Sequence, residues 1–268
     1  MELSRSIVKL VRSLEARKYR ERNGLFVAEG PKTVRDIARR IPPRVVIATH
    51  DDANDVQSIL ALHGMTCPDS IIVTEGQLRR LSFLKEPQGV LALFPLPDTH
   101  TAIQWNGDAT EKLVIALDAV QDPGNIGTIA RIAHWFGIDT VLCGTGTADP
   151  FAPKAVQASM GSVAAVRFIH TALDDCLATA RDVTHVYGTL LDGENIYSRT
   201  LTEGGVLLFG NEGKGISDRL RHLVTDRLLI PRHNSNNSPD SLNVAATVAI
   251  TCAEFRRRTT ERNTHKNG

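Results

Sequence analysis

The sequence predicts an α/β protein in two parts: a small α/β module over residues 1–97, a linker over 98–111, and a domain over 112–268 built on a mostly parallel sheet. Three observations carry that prediction. Short apolar runs alternate with helix-period segments throughout; residues 95–112, PLPDTHTAIQWNGDATEK, are rich in turn formers and lack periodicity; and the second half restarts on a nearly continuous apolar run, LVIAL at 113–117. A strand that is apolar on both faces belongs in a sheet covered by helices on both sides.

The first element is a helix, because Ile7, Leu10, Val11 and Leu14 recur at helical spacing. LFVA at 25–28 follows as a strand, then a helix opened by Pro31, whose missing N–H costs nothing in a first turn. RVVIA at 44–48 is the next strand. Residues 54–62 read as a helix, SIIVTE at 70–75 as a strand, EGQLRRLSF at 75–83 as a helix, and GVLALF at 89–94 as the closing strand. In the second half, a Pro/Gly turn leads into a helix over about 126–136. Further strands are TVLCG, AVRFIH, HVYGTLL, VLLFG and RLLI; the helices between them include PFAPKAVQASM, SDRLRHLV and a long final SLNVAATVAITCAEFRRR.

Composition excludes several classes. No apolar stretch approaches the ~18–20 residues of a membrane span, and the N-terminus lacks the apolar core of a signal peptide, so a cytoplasmic protein is expected. Cys67, Cys143, Cys176 and Cys252 are widely separated, so neither a zinc site nor a disulfide framework is expected. The net charge of +1 hides an uneven distribution. Arg5, Lys9, Arg12, Arg17, Lys18, Arg20, Arg22, Lys32, Arg35, Arg39, Arg40 and Arg44 face only Glu15, Glu21, Glu29 and Asp36. Arg256, Arg257, Arg258, Arg262 and Lys266 load the tail. These are either solvated helix faces or contacts for a polyanion.

Open α/β sheets bind ligands beyond the carboxyl ends of their strands, which directs attention to three loops. In the first, Asn125 stands where an N-cap belongs, and Arg131 is the only formally charged residue within an apolar helix. Such a guanidinium snorkels outward, pairs with a core carboxylate, or meets an anionic ligand. The second loop, Gly210, Asn211, Glu212, Gly213, Lys214 and Gly215, is either a tight surface turn or a place where backbone N–H groups approach a ligand. It lacks the Ser or Thr after Gly-Lys that a phosphate-binding loop needs, and GTGTAD at 144–149 puts Asp149 where a dinucleotide fingerprint needs glycine. A nucleotide-dependent metabolic enzyme is thereby disfavoured. The third loop places Ser241 as a candidate N-cap and Asn243 in the first turn of the final helix.

In order and spacing these loops resemble the SpoU/TrmH group of the SPOUT RNA methyltransferases. Asn125-Ile126-Gly127 through Arg131 matches its first motif, FGNEGKGIS with Glu212 its second, and IP followed by Ser241-Leu242-Asn243-Val244 its third. LFVAEGPKTVRD at 25–36 is similar to the family's RNA-binding front domain, a module related to ribosomal RNA-binding proteins. Residues 232–240 are longer and richer in asparagine than the family's loop, and Ala245 stands where serine is common. The resemblance implies a deep trefoil knot, a homodimer that completes each site, no metal, and S-adenosylmethionine as cofactor. It implies transfer of a methyl group to a ribose 2′-hydroxyl of RNA, ribosomal before transfer RNA; the alternatives are a tRNA 2′-O-methyltransferase or a non-catalytic RNA-binding protein of the same fold. Asn125, Arg131, Glu212, Ser241 and Asn243 are its implied catalytic residues, and Thr189, Gly210, Asn211, Ile230 and Leu242 its cofactor contacts. Deprotonating an arginine at pH 7 costs on the order of 7 kcal/mol. Arg131 is therefore expected to stabilise a developing alkoxide or hold a phosphate, oriented by Glu212, rather than act as a base.

Overall fold

The computed structural model describes residues 3–52, 54, 58–59, 61, 70–106, 111–233 and 241–266. The helix expected over 54–62 falls largely outside them, as do Cys67, loop residues 234–240 and the side chains of Arg262 and Lys266. The chain packs as two compact units, Met1–Pro97 with Asp149–Ala165, and Asp98–Ala148 with Val166–Gly268.

In the first unit, α1 (Arg5–Ser13) starts at Ser4, whose hydroxyl accepts the Ile7 N–H at 3.3 Å. A second helix, α2 (Arg17–Asn23), ends at Gly24 with φ 62°, a left-handed position that glycine takes without a Cβ penalty. There follow β1 (Leu25–Glu29), α3 (Pro31–Ala38), β2 (Val45–Thr49), β3 (Ser70–Val73), α4 (Glu75–Leu81) and β4 (Val90–Pro95). Thr74 and Gln77 form a reciprocal capping box at the start of α4, with bonds of 3.2 and 2.9 Å. The strand order is β1-β4-β2-β3; β4 runs antiparallel to both neighbours, and β2 and β3 are parallel. One sheet face packs Val27, Ile47, Ile71, Val73, Leu91 and Leu93 against Val11 and Leu14 from the α1 side and Leu78 and Leu81 of α4. On the strands, Phe26, Ala28, Val46, Ala92 and Phe94 alternate with those residues, and α3 packs against β1 and β4.

That unit is completed from far along the chain. Helix Pro153–Ser159, α6 in chain order, packs on β1, and the Phe151 ring lies tilted against Phe26 at 5.0 Å, which is itself stacked on Phe94 at 5.6 Å. Asp149, the residue that breaks the dinucleotide pattern, accepts the Nη2 and Nε groups of buried Arg20 at 2.6 and 3.1 Å.

The second unit comprises β5 (Leu113–Leu117), α5 (Pro123–Trp135), β6 (Thr140–Cys143), β7 (Arg167–His170), α7 (Leu173–Arg181), β8 (Val186–Asn195), β9 (Gly205–Phe209), α8 (Asp218–Arg221), β10 (Asp226–Leu229) and α9 (Val244–Lys266). Its six strands lie in the order β10-β8-β9-β5-β6-β7, every neighbouring pair parallel. This is the parallel-sheet domain that the apolar strands predict. Residues of α7 and α8 cover one face, with Leu173, Leu177, Leu220 and Leu223 packed on Val114, Ala116, Val206 and Leu208. The other face meets α5 and α9, which pack on each other; Phe255 of α9 meets Tyr187 edge-on at 5.0 Å. Each fully buried side chain of this kind contributes about 1.5–3 kcal/mol. Residues 98–106 run along this unit: the carbonyl of Thr99 accepts the His170 N–H at 2.8 Å, and Ile103 and Trp105 pack against its core. Among the described residues, no helix is long and apolar enough to cross a membrane.

Two helix starts differ from expectation. Helix α5 begins at Pro123, capped by Asp122, whose carboxylate accepts the Gly124 N–H at 2.7 Å, so Asn125 is not the cap. Asn243 does cap α9, accepting from Ala245 and Ala246 N–H at 2.9 and 3.3 Å, so Ser241 does not. Both shifts have one cause: the cap is the side chain whose oxygen reaches the free N–H groups two or three residues on, and several Asx and Ser residues competed for each position.

Candidate active site

The carboxyl ends of β5 and β9 are adjacent at the centre of the sheet. From β5 the chain continues as Asp118, Ala119, Val120, Gln121, and from β9 as Gly210 to Ser217; the two loops are bonded at three points. Ser217 N–H donates to buried Asp118 Oδ2 at 2.8 Å, Asn211 Nδ2 to the Ala119 carbonyl at 2.8 Å, and Gln121 N–H reaches Glu212 Oε2 at 3.5 Å.

Loop 210–217 is itself closed. Asn211 and Gly215 exchange backbone hydrogen bonds of 3.0 and 2.9 Å, and Asn211 Oδ1 accepts the N–H groups of Gly213 and Lys214 at 3.0 and 3.1 Å. Gly210 serves this closure: a Cβ there would lie 2.0 Å from the Gly215 carbonyl carbon and 2.1 Å from Ile216 N. Gly210 is needed for the loop's approach to itself, as the tight-turn reading of this segment expects. At Gly213 an added Cβ meets only Asn211 Oδ1 at 3.7 Å. Gly210→Ala is thus expected to destabilise the protein by about 1–3 kcal/mol, and Gly213→Ala to leave stability unchanged. Denaturant midpoints of the two variants check this; equal midpoints would refute the self-contact account.

The third segment joins them through side chains. Asn243 Nδ2 donates to Asn125 Oδ1 at 3.0 Å, and Asn125 Nδ2 donates to Glu212 Oε1 at 3.0 Å. Residues separated by 118 and 87 positions in sequence therefore form one chain of bonds, Asn243 to Asn125 to Glu212. Both functional ends of the Asn125 amide are engaged, which fixes its orientation. Glu212 lies against the first turn of α5, where unpaired N–H groups favour a negative charge.

The remaining sequence-derived candidates are placed as follows. Thr189, on β8 beside β9, directs its hydroxyl to the Leu208 carbonyl at 3.5 Å; Ile230 follows β10 and is partly buried. Ser241 and Leu242 are exposed, the latter by 53%. Arg131 is also exposed, and among the described residues it makes no hydrogen bond or ion pair. It turns outward from the helix, and among the described residues of this chain it makes no bond to Glu212: Thr128, Arg131 and Trp135 form a stripe at i, i+3 and i+7 turned away from buried Ile126, Ile129, Ala130 and Ala133. Trp135 on that stripe is 84% exposed. Sequence reasoning missed Asp118, the clamp on loop 210–217, although an acidic residue directly after an apolar strand was a visible signal. It also missed the left-handed Ala119, with φ 54°, which no residue type announced. Among the described residues, no group of three or more His, Cys, Asp or Glu is arranged to hold a metal ion.

Comparison with known proteins bears on this arrangement. Residues 112–253 match the model of the SpoU rRNA Methylase family, and residues 5–92 match an MRM3-like substrate binding domain. The chain is 30% identical over 245 residues to the 23S rRNA (guanosine(2553)-2′-O)-methyltransferase RlmP of Bacillus subtilis, covering 91% of this chain and 93% of that protein. Among solved structures, a TrmH-family protein from Porphyromonas gingivalis superposes with a TM-score of 0.82 at 40% identity, covering 96% of this chain and 99% of that one. An AdoMet-bound rRNA methyltransferase from Sinorhizobium meliloti gives 0.80 at 27% identity, with 96% and 98% covered.

Proposed function

The chain belongs to the SpoU rRNA Methylase family, and from that premise we propose that it transfers the methyl group of S-adenosylmethionine to a ribose 2′-hydroxyl of ribosomal RNA. The observation that carries the reading is the bonded chain Asn243–Asn125–Glu212, which gathers three loops at the carboxyl end of a parallel sheet.

The donor set fits such a cofactor. Strand β8 offers partly buried Thr189, and the segments after β9 and β10 offer backbone groups, partly buried Ile230 and exposed Leu242. Ser217 Oγ, at the end of the β9 loop, is buried and has no hydrogen-bond partner among the described residues. We assign the cofactor contacts to Thr189, Gly210, Asn211, Ile230 and Leu242. When bound, S-adenosylmethionine supplies an electrophilic methyl on a sulfonium that departs as a neutral thioether. The protein's tasks are then to align the ribose oxygen and to stabilise the charge that develops on it. Asn125, its amide held at both ends, orients the hydroxyl; Glu212 and Asn243 position Asn125, Ser241 lies beside them in sequence, and Arg131 supplies positive charge.

A homodimer supports that last role. Arg131 points away from its own helix's packed face, beside highly exposed Trp135, so a second copy seated on this stripe buries the indole and brings the guanidinium to its partner's loops. A trefoil knot is supported by the strand order: β10 lies at the sheet edge beyond β8 and β9, yet Asn243 is bonded to Asn125 after central β5. Ile230 and Asn243 thus lie on opposite sides of the β8 and β9 ends. A cytoplasmic location is proposed by likeness to the Bacillus subtilis relative.

Titration calorimetry with S-adenosylmethionine, NAD and ATP tests the cofactor, and mapping 2′-O-methyl groups in ribosomal and transfer RNA with and without the protein tests the substrate. Heat with S-adenosylmethionine alone and a lost mark in ribosomal RNA are expected. Absence of S-adenosylmethionine binding would overturn the catalytic reading; a lost mark in transfer RNA alone would redirect the substrate.

A further inference from the structure

The cations of the first unit are not all in the same condition. On the α3 side, Lys32 and Arg39 both pair with Asp36, at 3.2 and 3.1 Å, and Arg35, Arg40 and Arg44 each have a partner. On the opposite sheet face, α1, α4 and the loop at 82–89 carry Arg5, Lys9, Arg12, Arg79, Arg80 and Lys85 against only Glu75 and Glu86. Arg5, Lys9, Arg79, Arg80 and Lys85 are exposed and make no ion pair or hydrogen bond among the described residues. Arg12 Nη1 donates to the Ser82 carbonyl at 2.9 Å and the guanidinium lies 4.8 Å from the Phe83 ring centre, near the buried Glu29 carboxylate that accepts from Ser82 and Phe83, so among the described residues Arg12 is the one cation of this face with a buried acidic neighbour. The bond to Ser82 ties the end of α1 to the end of α4, so the cations of both helices share one surface.

We propose that this α1/α4 face is where the first unit docks the phosphodiester backbone of the RNA substrate, while the α3 face is not. The proposal rests on the reading of RNA as substrate and adds which surface holds it. Both faces are rich in Arg and Lys, so net charge does not separate them. What separates them is engagement: each α3-side cation already has a partner within the chain that it must share or give up to meet a phosphate, whereas an unengaged, solvated one displaces only counterions. All of the residues concerned but Lys85 lie on two packed helices anchored by Val11, Leu78 and Leu81, so these charges are presented on a rigid layer. Three of them on α1, at positions 5, 9 and 12, recur at helical spacing along one stripe.

The test compares charge reversal on the two faces of the full-length protein. Lys9→Glu combined with Arg79→Glu and Arg80→Glu is expected to weaken binding to an unmodified 23S rRNA transcript by at least about tenfold near 0.1 M salt. The slope of log K against log salt should become shallower by about 0.7–0.9 for each phosphate that is no longer neutralised. Lys32→Glu combined with Arg39→Glu should change affinity by less than about threefold, since each of those cations already interacts with Asp36. S-adenosylmethionine affinity and the rate at saturating RNA should be unchanged in both. Should the reversal variant misfold, Arg79→Gln with Arg80→Gln gives the same comparison at smaller amplitude. Equal losses from both faces, or none from the α1/α4 face, would overturn the proposal. Failure of the RNA reading itself has a different signature: the unsubstituted protein then neither binds nor methylates the transcript.

Discussion

Arg131→Ala is expected to lower the single-turnover rate of methyl transfer by about 10²–10³-fold while leaving stability within about 0.5 kcal/mol of the parent. The two expectations come from the same observation. The guanidinium is exposed and without a partner among the described residues, so removing it costs no internal interaction of the folded chain. Any large loss must then arise where the charge acts, on the oxygen that becomes nucleophilic. Arg131→Lys keeps the charge but not the planar fork of donors, and its rate should fall between the two. Near-normal rates in both variants would remove Arg131 from the chemistry. If it acts in the partner's site, mixing Arg131→Ala and Asn125→Ala subunits regenerates sites with both residues intact, and activity should return on mixing. Activity that stays lost after verified subunit exchange would place Arg131 and Asn125 in the same protomer's site.

How far the sequence exposed this arrangement varies from residue to residue. LVIAL announced a central strand because burial on both faces leaves no position polar, and β5 occupies that place with parallel neighbours on either side. The identities of Asn125, Glu212 and Asn243 were legible as loop residues after strands, and the fold brings them within hydrogen-bonding distance. Their bonding was not, because which amide meets which carboxylate depends on loop paths that no period encodes. For Arg131 the sequence left three placements open, and the outward one is taken: the apolar residues around it in sequence lie on the far side of the helix, because neighbours are turned by about 100°. Asp149 shows the complementary failure. As a flaw in a glycine pattern it excluded a cofactor, but its partner Arg20 lies 129 residues earlier, and only the folded chain reveals the pair.

That pair leads to the second large effect: a fragment ending at residue 97 is expected not to fold cooperatively, despite containing every strand of the first sheet. It lacks Phe151, Ala155, Val156 and Val163, all buried in the full chain, and so exposes the Phe26 ring that Phe151 covers. At about 1.5–3 kcal/mol for each large side chain, these losses approach the roughly 5–15 kcal/mol that holds a domain together. Arg20 adds to the deficit. It is 2% exposed, and Asp149 is its only anionic partner among the described residues; its other bonds go to the carbonyls of Leu14 and Glu15, both at 2.7 Å. In the full chain, Asp149→Ala strands the Arg20 charge and also removes the acceptor of the Phe151 N–H, bonded at 2.8 Å; breaking such a pair from one side costs about 3–5 kcal/mol. Replacing both members, Arg20→Met with Asp149→Leu, removes the stranded charge but leaves the two carbonyls unpaired, so only part of the loss should return. Thermal unfolding of the single and double variants, with circular dichroism of the 1–97 fragment, reads each step. A sharp native transition from the fragment alone would mean that β1 needs no cover from residues 149–165, and that the pair between Arg20 and Asp149 is dispensable to the fold of the first unit.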